Sequence, residues 1–278
     1  YRCGDSGIED VGSIHQIVEL SKVTAEIRRD EAQISDHRDD RKRVRFQTIP
    51  VADIDPANID QRWFVKTNGF GAEYLRSVEV TWLNLGQRNK SGETVTIAGQ
   101  NISAPKFVLC EYCGKEDKNF RSNFEDEHRF WCKHRKSTDE HTRSVILSST
   151  LRTQGVKLHL PPDLVGADPF SIPTLKAVLL LGLQEYLRGF PGNFEIISIP
   201  DLEADSIQDA LLIHDTVPGG TGYLSVFRDH NNIHGALTAA WRIIKHCSCK
   251  NDDRLACHRC LLPFADPGQE KGVERVTA

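Results

Sequence analysis

The sequence predicts a mixed α/β chain: a small antiparallel sheet, followed by an α/β unit closed near its carboxyl end by cysteines. Three observations predict it. Val78, Val80 and Trp82 alternate with Glu79 and Thr81, the two-residue period of a half-buried strand. Leu175, Val178, Leu179, Leu183, Tyr186 and Leu187 recur at helical spacing. Cys247, Cys249, Cys257 and Cys260 crowd into one short stretch.

Composition bounds the class. The 278 residues are 39% hydrophobic and 27% charged, as in a soluble globular chain. The longest apolar run, Ala177 to Leu183, is far short of the roughly 20 residues that span a bilayer. No charged-then-apolar leader precedes it, so a cytoplasmic location and no membrane partner are expected. The net charge of −4 gives no global attraction to nucleic acid, so any such contact needs a local basic patch. The chain lacks methionine and begins at Tyr1, which suggests a fragment of a longer protein.

Four segments follow in order. Residues 1–50 read as a helical, charged lead-in, with Ile14, Ile17, Leu20, Ile27 and Ile34 as a weak apolar stripe between Gly12 and Ile34. Its basic end, Arg41 to Arg45, is either a solvated face or a phosphate contact. Residues 51–142 read as a β-rich unit. Thr94–Ile97 is the expected hairpin partner of Val78–Trp82 across an Asn89–Gly92 turn, and Phe107–Leu109 is a third strand. Residues 143–265 read as the α/β unit, with strands at Ser144–Ser149, Val156–Leu160, Phe194–Ile199 and Ala210–His214. Thr174 is the expected cap of its first helix, and Ile233, Leu237, Trp241 and Ile244 the buried face of its second. Residues 266–278 read as a polar tail.

The eight cysteines point to metal more than to disulfides. Cys110-x-x-Cys113 and Cys257-x-x-Cys260 are short loops that turn two thiolates toward one tetrahedral ion. Cys247, Cys249, Cys257 and Cys260 together close an all-sulfur shell. Such a shell leaves no position for water or substrate and therefore implies structural zinc. A second zinc site takes Cys110, Cys113, His128 and Cys132, with His134 as the alternative to His128.

Between a strand and a helix lies His214-Asp215-Thr216-Val217-Pro218-Gly219-Gly220-Thr221-Gly222-Tyr223. It fits neither a P-loop nor a dinucleotide fingerprint. Three readings stand. Asp215 caps a tight turn; or the Gly219-Gly220-Thr221 amides bind phosphate ahead of a helix; or His214 and Asp215 do hydrolytic chemistry at a strand end.

This glycine turn, the helix after it, and the order Cys247-x-Cys249…Cys257-x-x-Cys260-Leu261 resemble the MrfA-type zinc-binding domain. That domain lies near the C-terminus of certain DEAD/DEAH-box superfamily 2 DNA helicases and in phage-defence subunits of the DISARM and Druantia kind. The upstream cluster resembles an extra cysteine group ahead of the domain in some large members. The resemblance implies that Cys247, Cys249, Cys257 and Cys260 bind zinc in an accessory module serving DNA repair or defence. It implies helicase motor domains in cis or in a partner subunit. This chain has no Walker A lysine motif and no D-E-x-H box, so ATP belongs to an absent motor.

DNA contact is then expected from Gly219, Gly220, Thr221, Arg254 and Arg259, with Lys245 and Lys250 nearby and with Phe130, Trp131 and Tyr223 available to stack on bases. The competing readings are a protein-docking scaffold and a metal-dependent nuclease or hydrolase.

Overall fold

A computed structural model describes residues 16–20, 46–65, 67, 69–87, 92–97, 100–116, 128–136, 141–161, 170–188, 192–201, 208–252, 254–265 and 273. The strands are β1 (Ile17–Glu19), β2 (Phe46–Asp53), β3 (Ile59–Phe64), β4 (Gly71–Gln87), β5 (Glu93–Ile97), β6 (Gln100–Ala104), β7 (Phe107–Cys110), β8 (Thr142–His159), β9 (Phe194–Asp201) and β10 (Gln208–Asp215). The α-helices are α1 (Ser171–Leu187) and α2 (His230–His246). The fold is mixed α/β with mostly antiparallel pairing, and the main sheet runs β2-β4-β8-β10-β9. The described residues fall into two compact units, one within 1–35, 41–49 and 82–150, the other within 36–40, 50–81 and 151–278.

In the first unit β7 runs antiparallel to the start of β8, with Phe107 opposite Val145 and Cys110 opposite Thr142. That pairing fixes where the first cysteine pair emerges. Two expectations are corrected here. Ile17–Glu19 is a strand lying parallel to β8, not part of a helix, with Ile17 opposite Ile146. The rest of the expected Gly12–Ile34 helix and the Arg41–Arg45 run lie outside the described residues. Thr94–Ile97 does form a strand, but its partner is β6 in a separate two-stranded sheet. Val78–Trp82 belongs to β4 of the main sheet.

In the second unit β3 pairs with β4, and β10 lies between β8 and β9. The two strands expected at 144–149 and 156–160 are one continuous β8. Polar Thr150, Arg152, Thr153 and Gln154 and then Gly155 sit in its middle and interrupt the apolar pattern without interrupting the backbone. Helices α1 and α2 cover this sheet region. Leu179 and Leu183 of α1 and Ile233 and Ala236 of α2 join Leu211, Ile213, Leu224 and Phe227 in one buried cluster.

Thr174 is not the cap of α1. The helix begins at Ser171 after Phe170, without a side-chain cap, and Thr174 is buried inside it. Arg188 then adopts a left-handed φ of 50° and donates its N–H to Gln184, ending the helix. Helix α2 has the expected kind of start, with Asp229 accepting from the Asn231 N–H at 2.9 Å. Its buried face is Ile233, Ala236, Ala240 and Ile244. Trp241 instead points outward beneath the Lys245 ammonium, 4.2 Å from the ring centroid.

Small residues set this helix pairing. A Cβ on Gly182 would lie 2.4 Å from the Ala236 carbonyl oxygen and 2.9 Å from its carbon. Both are backbone atoms, so the helices must separate to admit it. Gly182→Ala is therefore expected to destabilise the chain by about 2 kcal/mol, because overpacking strain outweighs the roughly 1 kcal/mol gained in helix propensity. Urea unfolding checks the sign.

A buried charge sits on β4. The Glu73 carboxylate lies 2.7 Å from Arg62 Nε and 3.4 Å from His159 Nε2. Burial works against its ionisation, but the His159 hydrogen bond and the charges of His159, Lys157 and Arg62 prevail and hold its pKa below 4.5. The stabilisation is present above the ordinary carboxylate range and is lost as pH falls through the folded-state pKa. Glu73→Gln is expected to lower stability at pH 7 and to flatten its decline with acidification. Thermal unfolding from pH 7 to pH 4 measures both.

Candidate metal centres

The C-terminal centre is built where α2 ends. Cys247 leaves the helix in extended backbone and turns its N–H to the Ile244 carbonyl. A 3-10 turn, Ser248–Asp252, presents Cys249. The Cys257–Cys260 loop folds back on itself, with the N–H groups of Cys260 and Leu262 bonded to the Cys257 carbonyl at 3.1 and 3.2 Å. The four sulfurs converge within 4.8 Å of one another. Cys247 and Cys257 are 3.4 Å apart, Cys249 and Cys260 3.8 Å, and Cys257 and Cys260 3.7 Å.

These distances decide between metal and disulfide. A disulfide needs sulfurs about 2.05 Å apart. A tetrahedral ion with Zn–S bonds of about 2.3 Å sets its sulfurs about 3.8 Å apart. The observed spacing is that of a tetrahedral shell, and the seven described cysteines are all free thiols.

Backbone amides tune the sulfurs. Arg259 donates its N–H to Cys257 Sγ at 3.4 Å, and Cys257 donates to Cys260 Sγ at 3.3 Å. Burial opposes ionising Cys257, yet the Arg259 amide and the neighbouring thiols hold it down to about 7. Burial pushes Cys249 up to about 12, with Cys247, Cys257 and Cys260 adding to the rise. One thiolate is thus at hand at neutral pH, and the others lose their protons to the entering ion. Cys247, Cys249, Cys260 and Leu261 pack with Ala177, Val178 and Leu181 of α1 and with Ala240 and Ile244 of α2. A cation here ties the end of α2 into the contact between the helices.

The upstream centre has three sulfurs and one nitrogen. β7 delivers Cys110, and Gly114 turns back with its N–H on the Cys110 carbonyl at 2.9 Å. His128 points Nδ1 at Cys113 and Cys132, 3.6 and 3.5 Å away, and Cys110 and Cys132 are 3.8 Å apart. A Zn–N bond of about 2.0–2.1 Å beside a Zn–S bond of about 2.3 Å sets N and S about 3.5 Å apart. Burial opposes ionising Cys113, but the backbone at Arg129 and Lys115 and the His128 ring bring it down to about 6. His128 is the histidine that lies with the three sulfurs, while the His134 ring packs against His141 at 4.0 Å and against Tyr112 at 5.9 Å. Cys3 lies outside the described residues.

The glycine turn does something other than offer amides to a phosphate. Asp215, fully buried, accepts the Val217 N–H at 2.9 Å, the Thr221 N–H at 2.5 Å and the Thr221 hydroxyl. Gly219 donates to the Arg152 carbonyl and Gly220 to the Val217 carbonyl. Every amide of Gly219, Gly220 and Thr221 is therefore engaged internally. Gly219 and Gly220 have φ of 78° and 79°, a pairing of left-handed residues open to glycine at no steric cost. A phosphate at these three amides would first have to displace the Arg152 and Val217 carbonyls and the Asp215 carboxylate. The same geometry counts against the hydrolytic reading, because His214 has no exposed surface and both Asp215 oxygens have partners. Burial holds His214 below its ordinary pKa, against the pull of the Asp215 carbonyl and Glu195.

Sequence reasoning missed the residues that hold this turn from β8. Thr153 donates its hydroxyl to the Val217 carbonyl at 2.9 Å, and Gln154 lies against Gly220. Nothing local marks them, because the contact joins distant parts of the chain. Arg254 and Arg259 are both exposed beside the four-cysteine centre, with Arg254 Nε 3.9 Å from Asp252. Among the described residues no helix is long and apolar enough to cross a membrane.

No curated protein matches the chain. Among solved structures it is similar to one described as the crystal structure of DUF1998 helicase MrfA bound to DNA. The two share 14% identity at a TM-score of 0.42, over 84% of this chain and 25% of that one. This chain thus spans about a quarter of that helicase's length. Residues 175–261, which hold α1 from Leu175 onward, the glycine turn, α2 and the four cysteines, match the family model of the MrfA Zn-binding domain. That segment of the chain is similar to the MrfA Zn-binding domain.

Proposed function

We propose that this chain is the zinc-organised accessory module of a helicase-type protein, helping it engage DNA in repair or phage defence. The observation that carries this reading is the closed four-thiolate centre inside the segment that matches the MrfA Zn-binding domain. A saturated sulfur shell gives zinc a structural task, holding α2 to the loop that bears Arg254 and Arg259. Two ions per chain are expected, one in each cluster. The working module extends over 143–265, with 51–142 carrying the upstream centre. ATP hydrolysis belongs to motor domains in a longer parent or a partner subunit, and the reduced thiols suit the cytoplasm.

DNA contact in this reading runs through side chains. Arg242, Lys245, Lys250, Arg254 and Arg259 are exposed cations on α2 and around the metal loop. Gly219, Gly220 and Thr221 contribute only the shape of the neighbouring turn. Fluorescence anisotropy with duplex and single-stranded DNA across a salt series tests this. Binding is expected to weaken with salt, and Arg254→Ala and Arg259→Ala to flatten the log–log salt slope by about one each. Absent binding at low salt, or binding that ignores salt, contradicts it. The net charge of −4 favours a second reading, a docking scaffold for a partner protein, which predicts that first outcome.

A further inference from the structure

The upstream centre holds up something the C-terminal one does not. Between its ligands His128 and Cys132 the chain displays Phe130, 84% exposed, and Trp131, 51% exposed. Tyr112, between Cys110 and Cys113, is 50% exposed. Trp131 and Tyr112 meet edge to face, 5.8 Å between centroids, and the Lys133 ammonium lies 4.7 Å from the centre of the Tyr112 ring. Three large rings at the tip of one small metal-held loop serve no core.

Rigidity and charge say what fits them. Both aromatic segments are bracketed by zinc-type ligands, so the rings are fixed before any partner arrives, at little ordering cost. The flanking Arg129 and Lys133 are exposed cations, and residues 128–136 contain no carboxylate. A protein core would meet apolar side chains without cations among them. Exposed rings interleaved with cations are the arrangement that stacks unpaired bases while contacting their phosphates. We infer that Phe130, Trp131 and Tyr112 form a stacking platform for single-stranded nucleic acid. The inference deepens the proposed nucleic-acid role but places it on the other cluster. Duplex bases, already stacked on one another, have no free faces to offer it.

The test uses the whole 278-residue chain loaded with zinc. Binding of dT15, U15 and a blunt 15-bp duplex is followed by anisotropy for wild type, Phe130→Ala, Trp131→Ala and Trp131→Phe. Zinc content is measured in parallel to show that each variant keeps its centres. The alanine variants are expected to weaken single-strand binding roughly 5- to 100-fold while leaving duplex binding unchanged, and Trp131→Phe to recover most of the loss. A preference between dT15 and U15 assigns the natural strand as DNA or RNA. Unchanged single-strand binding in zinc-replete alanine variants overturns the platform. If Arg254→Ala and Arg259→Ala still weaken binding in that case, the proposed function survives without it. A chain that binds no oligonucleotide at all overturns both and leaves the rings as a protein contact.

Discussion

Cys260→Ser is expected to release the C-terminal zinc and to unfold the helix-pair region it anchors. The Cys260 sulfur has no exposed surface and sits in a cluster with Leu181 of α1 and Ile244 of α2. Three remaining thiols cannot close a tetrahedral shell without admitting water into that apolar cluster. Structural zinc contributes on the order of 10 kcal/mol of binding free energy in small domains. That is comparable to the whole stability of a typical domain, about 5–15 kcal/mol. Loss of one ligand is therefore expected to cost one zinc per chain and the cooperative melting of α1 and α2, seen together as reduced metal content and lost helical circular dichroism. A variant that kept full zinc and wild-type melting would show that the sulfurs converge for another reason. Cys113→Ser is expected to cost the other zinc while leaving those helices intact, because neither helix belongs to that unit.

Asp215→Ala is expected to destabilise the chain by about 3–5 kcal/mol with both metals retained. The carboxylate takes two backbone N–H groups and one hydroxyl inside the glycine turn. Its removal takes the acceptor from three part-buried donors, at about 1–3 kcal/mol for each left unpaired. Thr221→Val removes the hydroxyl alone and is expected to cost only about 1 kcal/mol. Asp215→Asn keeps one acceptor oxygen and falls between the two. Urea unfolding of the three variants gives the order. A loss under about 1 kcal/mol for Asp215→Ala would mean that the turn is held by its neighbours, and would return the loop to candidacy as a ligand site.

The metal centres were the most legible part of the sequence because their chemistry is local. A C-x-x-C loop commits its two sulfurs to one side whatever the rest of the chain does. The spacing alone therefore named Cys247, Cys249, Cys257 and Cys260, and the structure gathers those four thiols within reach of one ion. The choice between His128 and His134 was not local in that sense. Both histidines flank Cys132, and only the three-dimensional arrangement shows the His128 ring beside the sulfurs and the His134 ring against His141.

Strands were legible one at a time, but their partners were not. Asn89–Gly92 is a strong turn signal, and it drew Thr94–Ile97 toward Val78–Trp82 although its register partner is Gln100–Ala104. Ile17–Glu19 has three residues and a charged setting, and only its pairing with Ile146–Ser148 far along the chain makes it a strand. On α2 the large residues suggested a face through Trp241, and the alanines carried the actual contact. Gly182 on α1 explains why: where two helices approach that closely, Ala236 and Ala240 fit between them and an indole does not.

Zinc stoichiometry by native mass spectrometry on reduced, chelator-washed protein tests the central claim most directly. Two ions on the wild-type chain and one on Cys260→Ser are the expected result. A wild-type chain without metal, or one whose zinc count is indifferent to Cys260, would contradict the claim that four sulfurs close around a structural ion.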